Sequence, residues 1–172
     1  MKARNPGNPE SARWSAMRML ERRPHSEKEI RNKLGRKGYL PDSIESAIKR
    51  LKDHGLIDDA AYARAYARSK LNRKPVGRRL IEAGLGAKGV SRELAKSETS
   101  TVLGDRDESA VALDAVRKYL KRRPLKFAGQ RSKEAAAERS RMIGWLMRQG
   151  FDGDQIRKAT LAATKSDPDD AD

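Results

Sequence analysis

The sequence predicts an all-α protein of three tandem three-helix repeats that form an elongated, curved array. Three observations lead to this prediction. Apolar residues recur at spacings of three and four, the period of a helix face, whereas strand-like alternation is scarce. Glycine and proline fall at the ends of the apolar stripes rather than in runs. A pattern of helix, glycine and apolar residue then recurs along the chain, as expected of stacked helical repeats.

The clearest helical pair begins at Ser26. Ser26 and Glu29 have the spacing of a capping box, in which each side chain bonds the backbone of the other, so a helix is predicted to begin here. Gly38 stands where a left-handed residue ends a helix, and Tyr39 is expected to fold back onto the last turn. Pro41 suits the first turn of the next helix, where a missing N–H costs nothing.

The same signals predict nine helices. Asp58, Ser91 and Asp107 are expected to cap the helices that follow them, because their side-chain oxygens can accept from free backbone N–H groups. Further helix stops are predicted at Gly55, Gly89, Gly104 and Gly150. The helices with predicted bounds cover residues of about 10–23, 78–88, 91–103, 131–149 and 153–165.

For two of the helices the sequence makes more specific predictions. Trp14, Met17 and Leu20 are predicted to form the apolar stripe of the first helix. Residues 97–101, SETST, are poor helix formers, so the sixth helix is expected to fray or break there.

Two motifs admit both a structural and a functional interpretation. Tyr62 and Tyr66 could serve as base-stacking platforms, but tyrosines four apart on a helix are more typical of a core. Residues 84–89, GLGAKG, match the dinucleotide pattern G-x-G-x-x-G. We reject that function because no buried strand precedes the motif, and we interpret Gly89 as a helix stop.

The repeat is visible as a recurrence of leucine, glycine and an apolar residue. Leu34, Gly38 and Tyr39 recur 51 residues later as Leu85, Gly89 and Val90, and 112 residues later as Leu146, Gly150 and Phe151. In the degenerate middle copy, Leu94 matches Ile44 only if one residue is deleted. The predicted repeats cover residues 10–57, 58–104 and 105–165, after a flexible lead-in at 1–9 and before a disordered acidic tail at 166–172.

Charge is the strongest functional signal. The 172 residues carry 39 lysines and arginines against 24 acidic residues, a formal net charge of +15, which favours a polyanionic partner such as nucleic acid. The absence of cysteine excludes disulfides and cysteine-held zinc, and no catalytic motif is present. Since no apolar run or signal region indicates a membrane or export, we expect a cytoplasmic, monomeric, non-enzymatic protein without cofactor or metal.

Basic pairs recur at predicted helix ends and turns. Any single pair is explained by the favourable interaction of a cation with a helix C-terminus. Helix ends alone do not explain why basic pairs recur along the whole chain. We therefore predict that the set binds nucleic acid or a nucleoprotein. The candidates are Arg22, Arg23, Arg36 and Lys37 in the first repeat, Arg73, Lys74, Arg78, Arg79 and Lys88 in the second, and Lys121, Arg122, Arg123, Lys126 and Arg131 in the third.

Several motifs in the first half of the chain resemble those of RecX, a family of bacterial regulatory proteins that modulate the RecA recombinase. The residues that carry the resemblance are Arg22-Arg23-Pro24-His25-Ser26-Glu27-Lys28-Glu29-Ile30, Lys37-Gly38-Tyr39, Gly55-Leu56-Ile57-Asp58-Asp59, Tyr62-Ala63-Arg64 and Gly77-Arg78-Arg79-Leu80. Gly84 departs from the family pattern, where a helix-forming acidic residue is usual. Together with the SETST segment it puts the rigidity of the middle repeat in doubt.

The resemblance implies a non-enzymatic regulator of DNA recombination and repair, including the SOS response. It implies three-helix tandem repeats that bind the RecA filament on single-stranded DNA, with double-stranded DNA as a further partner. Inhibition of filament growth, ATP hydrolysis and strand exchange is the implied activity. The alternative is a sequence-specific or architectural DNA-binding protein of the helix-turn-helix type, because three-helix units resemble those modules.

Overall fold

The computed structural model describes residues 5–126 and 132–165, the side chains of residues 164 and 165 apart. These residues form nine α-helices and no β-strand, which confirms the prediction of an all-α protein. The predicted acidic tail at 166–172 lies outside the described residues. The helices are α1 (Pro9–Leu20), α2 (Glu27–Arg36), α3 (Pro41–Asp53), α4 (Asp59–Arg73), α5 (Arg78–Ala87), α6 (Arg92–Leu103), α7 (Glu108–Arg122), α8 (Lys133–Arg148) and α9 (Gly153–Lys165).

The predicted glycine stops all adopt the left-handed conformation. Their φ angles lie between 52° and 90° at Gly38, Gly55, Gly89, Gly104 and Gly150. After Gly38 the backbone N–H of Tyr39 donates to the carbonyl of Leu34 at 3.2 Å, the bond of a Schellman cap. The same bond follows Gly55, Gly89 and Gly150. The chain is therefore a tandem helical repeat whose copies end their helices in the same way.

The aligned leucines occupy equivalent buried positions. Leu34, Leu85 and Leu146 are all fully buried. In the middle copy Ala95, rather than Leu94, takes the buried position of Ile44, since Ala95 is 2% exposed and Leu94 is only half-buried. The deletion that the sequence alignment required is therefore wrong: position 95 matches position 44 at the same offset of 51 as the leucines.

The chain divides into two compact units. Unit 1 comprises Met1–Tyr66 and Gly84–Thr101, and unit 2 comprises Ala67–Ala83 and Val102–Asp172. In unit 1 α1 packs against α3, and Ile48 and Leu51 are among the buried residues of its core. In unit 2 α7 packs against α9 over a core that includes Val116 and Phe151. The described helices include none that is long and apolar enough to cross a membrane.

The stripe predicted for the first helix is wrong at Trp14, whereas Met17 and Leu20 are partly buried and pack against the core of unit 1. Trp14 is 58% exposed, and the guanidinium of Arg13 lies over its ring at 5.7 Å from the centroid. The buried residues of α1 are the small ones, Ala12, Ser15 and Ala16. Small side chains allow two helices to approach closely, and this face of α1 packs in the core of unit 1.

The sixth helix does not break at the SETST segment, which corrects that prediction. α6 is continuous from Arg92 to Leu103. Thr99 is fully buried within it, and the hydroxyl of Thr101 donates to the carbonyl of Ser97 at 3.0 Å, one turn earlier. Thr99 is packed inside the folded protein, so tertiary packing overrides the low helix propensity of this segment.

The middle helices accommodate the unusual Gly84 without a break. α5 continues through Gly84, and a Cβ there would come within 2.2 Å of the Tyr66 hydroxyl. Tyr66 in turn stacks on the buried Tyr62, with ring centroids 6.3 Å apart. The glycine therefore makes room for a packed tyrosine. The core interpretation of Tyr62 is confirmed, and residues 84–87 of the GLGAKG motif are helical rather than a phosphate loop.

Candidate nucleic-acid interface

Part of the predicted basic set is engaged in contacts within the protein. These residues hold a carboxylate, an amide or a hydroxyl of the same unit. They are Arg23, Lys37, Lys74, Arg78 and Lys88. Their positive charge is at least partly used to stabilise the fold, so they are weaker candidates for binding a partner.

Glu29 is the centre of one such network in unit 1. Its carboxylate accepts from Lys88 Nζ at 2.8 Å and from Arg23 Nη1 at 3.2 Å. Burial raises the pKa of Glu29, but the hydrogen bonds from Lys88 and Arg23 outweigh it and lower the pKa to about 2. The predicted capping box is half formed. Ser26 Oγ accepts from Glu29 N at 3.2 Å, but the Glu29 carboxylate is held by Lys88 and Arg23 instead of reaching back to Ser26 N. The Ser26 hydroxyl itself donates to the Lys88 carbonyl at 2.6 Å.

Arg78 has a comparable structural role in unit 2. Its Nη2 donates to Glu108 Oε1 at 2.8 Å, and Gln155 Nε2 donates to the other oxygen of the same carboxylate at 2.9 Å. The network joins the start of α5 to the starts of α7 and α9. Arg78 is therefore a structural residue of unit 2.

The other candidates keep their charge available. Within the described residues they have no ion pair and no side-chain hydrogen bond, and all of them are exposed. They are Arg22, Arg36, Arg73, Arg79, Lys121, Arg122, Arg123 and Lys126. Arg131 lies outside the described part of the chain. A large share of the predicted interface is thus free to contact an anionic partner.

Unit 2 gathers several of these residues around one groove of about 850 Å³, which we call the basic groove. Among the described residues that line it there is no aspartate or glutamate. The groove is lined by Arg73, Lys74, Pro75, Lys118, Tyr119, Lys121, Arg122, Arg123, Trp145 and Gln149. Its size lies within the range of ligand-binding clefts, and its charge fits an anion.

Two aromatic rings form part of the lining of the basic groove. Tyr119 on α7 and Trp145 on α8 have ring centroids 5.3 Å apart and planes tilted by 47°. Tyr119 is 8% exposed, whereas Trp145 is half-buried and packs against the core of unit 2. Sequence reasoning missed Trp145. Its position next to the repeat leucine Leu146, on the border of the buried face, was the available signal.

Unit 1 contains a smaller basic pocket of about 390 Å³. It is lined by Ser15, Arg18, Met19, Arg22, Arg23, His25, Lys33 and Lys37. His25 is buried, with Nδ1 at 2.8 Å from the Arg23 carbonyl and Nε2 at 2.7 Å from Lys33 Nζ. Burial, followed by nearby charges that include Arg23, lowers the pKa of Lys33. Burial also lowers the pKa of His25. The pocket is electropositive and suits an anion such as a phosphate group.

The pocket and the groove carry the same short motif. A basic pair followed by proline occurs at residues 22–24, 73–75 and 122–124, as RRP, RKP and RRP. The first two copies are 51 residues apart, the offset of the repeat leucines. The motif follows α1 and lies at the ends of α4 and α7, the first helix of each predicted repeat. The first copy lines the pocket of unit 1, and the other two line the basic groove of unit 2.

In the described ranges no three histidine or carboxylate side chains are placed to hold a metal ion together.

Two family models match the first part of the chain. They describe the first three-helix domain of RecX, over residues 12–51, and the second three-helix domain of RecX, over residues 58–97. The regulatory protein RecX of Xanthomonas oryzae pv. oryzae is 35% identical over 153 residues, which cover 89% of this chain and 86% of the relative. RecX of Stenotrophomonas maltophilia is 33% identical, over 90% of this chain and 86% of its own length.

Solved structures show the same fold. The crystal structure of RecX from Lactobacillus salivarius matches with a TM-score of 0.73 at 22% identity, over 90% of this chain and 95% of that chain. A second crystal structure, of a regulatory protein RecX, matches with a TM-score of 0.74 at 22% identity, over 88% and 72% of the two chains. The similarity in sequence extends over most of this chain and most of each relative. The chain belongs to the RecX family of regulatory proteins.

Proposed function

We propose that this protein regulates homologous recombination and DNA repair in the cytoplasm by binding the RecA filament on single-stranded DNA. Binding inhibits filament growth, ATP hydrolysis and strand exchange, and the protein acts as a non-enzymatic monomer. Membership of a regulatory family supports this role, as does the resemblance of residues 22–30 and 55–59 to the family motifs.

The observation that carries the proposal is the positive charge that the fold leaves unpaired. Lys121, Arg122 and Arg123 are exposed at the end of α7, and no described carboxylate pairs with them. A protein that only needed these cations to cap a helix would gain little from placing Arg73, from the end of another helix, in the same groove. A nucleoprotein filament presents phosphates and so offers the matching charge.

The helix-turn-helix alternative predicts a recognition helix with free polar side chains. The exposed face of α3 instead has mixed charge and is used within unit 1. Lys52 Nζ contacts Glu27 Oε2 at 2.8 Å, and Arg31 Nε donates to Glu45 Oε1 at 2.7 Å. Asparagine, glutamine and arginine are the usual readers of base edges. α3 has no asparagine or glutamine, and its exposed Arg50 is paired with Glu10. These contacts weigh against base-specific recognition by α3.

The test is the DNA-dependent ATPase of RecA, measured while this protein is titrated onto filaments at several salt concentrations. We expect hydrolysis to slow at less than one regulator per recombinase, since a protein that stops growth need not cover every subunit. The effect should weaken as salt rises, because each neutralised phosphate of a single strand contributes about −0.7 to the slope of log K against log salt.

Two results would contradict the proposal. The first is an ATPase rate that stays unchanged at every ratio of regulator to recombinase. The second is a footprint on one particular duplex that survives moderate salt, together with no effect on RecA, which would favour the helix-turn-helix alternative.

A further inference from the structure

We propose that the basic groove of unit 2 is a binding site for single-stranded DNA, in which a base stacks on Trp145 and the phosphates contact the basic rim. The inference names the ligand and the subsite within the proposed function and rests on that function for its biological role. The binding itself requires only DNA and no recombinase.

Cations from two helix ends border the basic groove. Arg73 lies in the last turn of α4, and Lys121 and Arg122 lie in the last turn of α7. A cation near a helix C-terminus interacts favourably with the helix dipole, which explains each end separately. It does not explain why both ends border one groove that no aspartate or glutamate of the described ranges lines. Convergence of unpaired cations from separate elements costs electrostatic repulsion, which a bound polyanion relieves.

The aromatic lining of the basic groove favours a single strand over a duplex. Trp145 packs against the core of unit 2 on one side and lines the basic groove on the other. Its contact with Tyr119, at 5.3 Å between centroids, fixes the position of the ring. A fixed indole beside a basic rim is a platform on which an unpaired base can stack, whereas a duplex keeps its bases stacked inside. The groove therefore suits a single strand.

Comparison with the pocket of unit 1 shows that the aromatic platform distinguishes the basic groove from that pocket. The repeat offset of 112 places Lys33 of the pocket at the position of Trp145, and Lys37 at the position of Gln149. Both cavities have the basic motif on their rim, but a lysine in one replaces the aromatic platform of the other. Phosphate attraction is thus common to both sites, and base stacking belongs to the groove of unit 2.

The first experiment follows the fluorescence of Trp145 in the full-length protein. The chain has two tryptophans, so Trp14→Phe, at an exposed position of unit 1, leaves Trp145 as the reporter. Titration with a 15-nucleotide oligo-dT, in the absence of recombinase, is expected to quench the Trp145 emission. Binding of the labelled oligonucleotide with an unchanged emission would overturn the inference, as would equal affinity for a duplex of the same length.

Substitutions at Trp145 then test stacking directly. Trp145→Leu is expected to weaken binding of oligo-dT roughly tenfold, the size of effect seen when one stacked base loses its platform. Trp145→Phe keeps a stacking ring, so its affinity for oligo-dT should fall less than that of Trp145→Leu. Equal affinity of the leucine variant and the parent would contradict stacking. Because Trp145 also packs against the core, far-UV circular dichroism of each variant accompanies the measurement.

A second pair of variants leaves the core untouched. Lys121→Ala with Arg122→Ala removes two exposed cations of the groove and should reduce the slope of log K against log salt by about 1.4, two phosphate contacts. Arg106→Ala with Lys158→Ala removes the same charge from exposed positions outside the groove, and Arg106 precedes the opposite end of α7. An equal reduction of this slope in both double variants would show general electrostatic attraction and would contradict a specific site in the groove. Since no recombinase is present, a negative result here would contradict this DNA site but not the proposed function, which the RecA ATPase titration tests separately.

Discussion

Thr99 is a fully buried threonine in the middle of α6. Among the described residues its hydroxyl has no hydrogen-bond partner. A buried hydroxyl without a partner loses its hydration and gains nothing in return. The β-branched shape of threonine is shared by valine, so Thr99→Val keeps most of the packing and removes the unpaired group. We expect the free energy of unfolding to rise by about 1 kcal/mol, measured by urea denaturation.

Thr101 provides the matched control for that substitution. It is exposed on the same helix, and its hydroxyl donates to the Ser97 carbonyl at 3.0 Å. Thr101→Val removes a satisfied hydroxyl and should leave the stability unchanged within about 0.5 kcal/mol. A loss of stability in Thr99→Val that exceeds any loss in Thr101→Val would mean that the Thr99 hydroxyl is satisfied in solution.

The pH dependence of stability tests the network around Glu29. Its pKa in the folded protein is about 2, below the ordinary value of 4.5. Its stabilising effect is therefore fully present above about pH 4.5 and is lost as the pH falls through 2. Glu29→Gln should lower the free energy of unfolding at pH 7 by about 1–2 kcal/mol, and the difference from the parent should shrink on acidification.

The exposed Glu21, at the end of α1, is the control for Glu29. Thermal unfolding of Glu21→Gln, followed by circular dichroism between pH 2 and pH 7, should parallel that of the parent. A difference between Glu29→Gln and the parent that stays constant over this range would indicate lost packing rather than lost charge.

At the scale of helices, the close approach of Gly77 and Gly150 holds the start of α5 against the end of α8. Gly77 N donates to the Gln149 carbonyl at 2.9 Å, and a Cβ on Gly77 would lie 2.2 Å from the Gly150 carbonyl oxygen. Backbone cannot move away as a side chain can. We expect Gly77→Ala to lower the free energy of unfolding by about 3 kcal/mol, measured by urea denaturation.

Gly86 is the matched control because it lies in α5 with open space around it. Alanine is a better helix former than glycine, so Gly86→Ala should raise the free energy of unfolding by about 0.5–1 kcal/mol. If both substitutions to alanine stabilise the protein, the backbone contact between Gly77 and Gly150 does not form in solution.

The predictability of the helices depended on the range of the interactions that shape them. The glycine stops were predicted correctly because a Schellman cap is a local structure, as the bond from Tyr39 N to the Leu34 carbonyl shows. The exposure of Trp14 was not predicted, because Ala12 and Ala16 are the fully buried residues of α1, and the sequence of α1 alone does not reveal this packing in the core of unit 1. The continuity of α6 at Thr99 likewise depends on burial.

At the scale of the whole chain, the net positive charge was predictable from the sequence. Which cations are paired within the protein and which stay free was not. Composition gives +15 without revealing that Lys88 is held by Glu29, 59 residues earlier in the chain. Such pairs depend on tertiary structure. The basic motif at 22–24 and 73–75 could have been found by extending the repeat alignment to the ends of the first helices. The placement of Trp145 beside those cations required the structure.

The central claim, binding to the recombinase filament, is tested most directly by cosedimentation. RecA is assembled on long single-stranded DNA with a slowly hydrolysed nucleotide, and this protein is added below one molecule per recombinase. We predict that it sediments with the filaments, and that the Lys121→Ala, Arg122→Ala variant sediments less than the Arg106→Ala, Lys158→Ala control. Filaments that sediment while this protein remains in the supernatant would contradict the account.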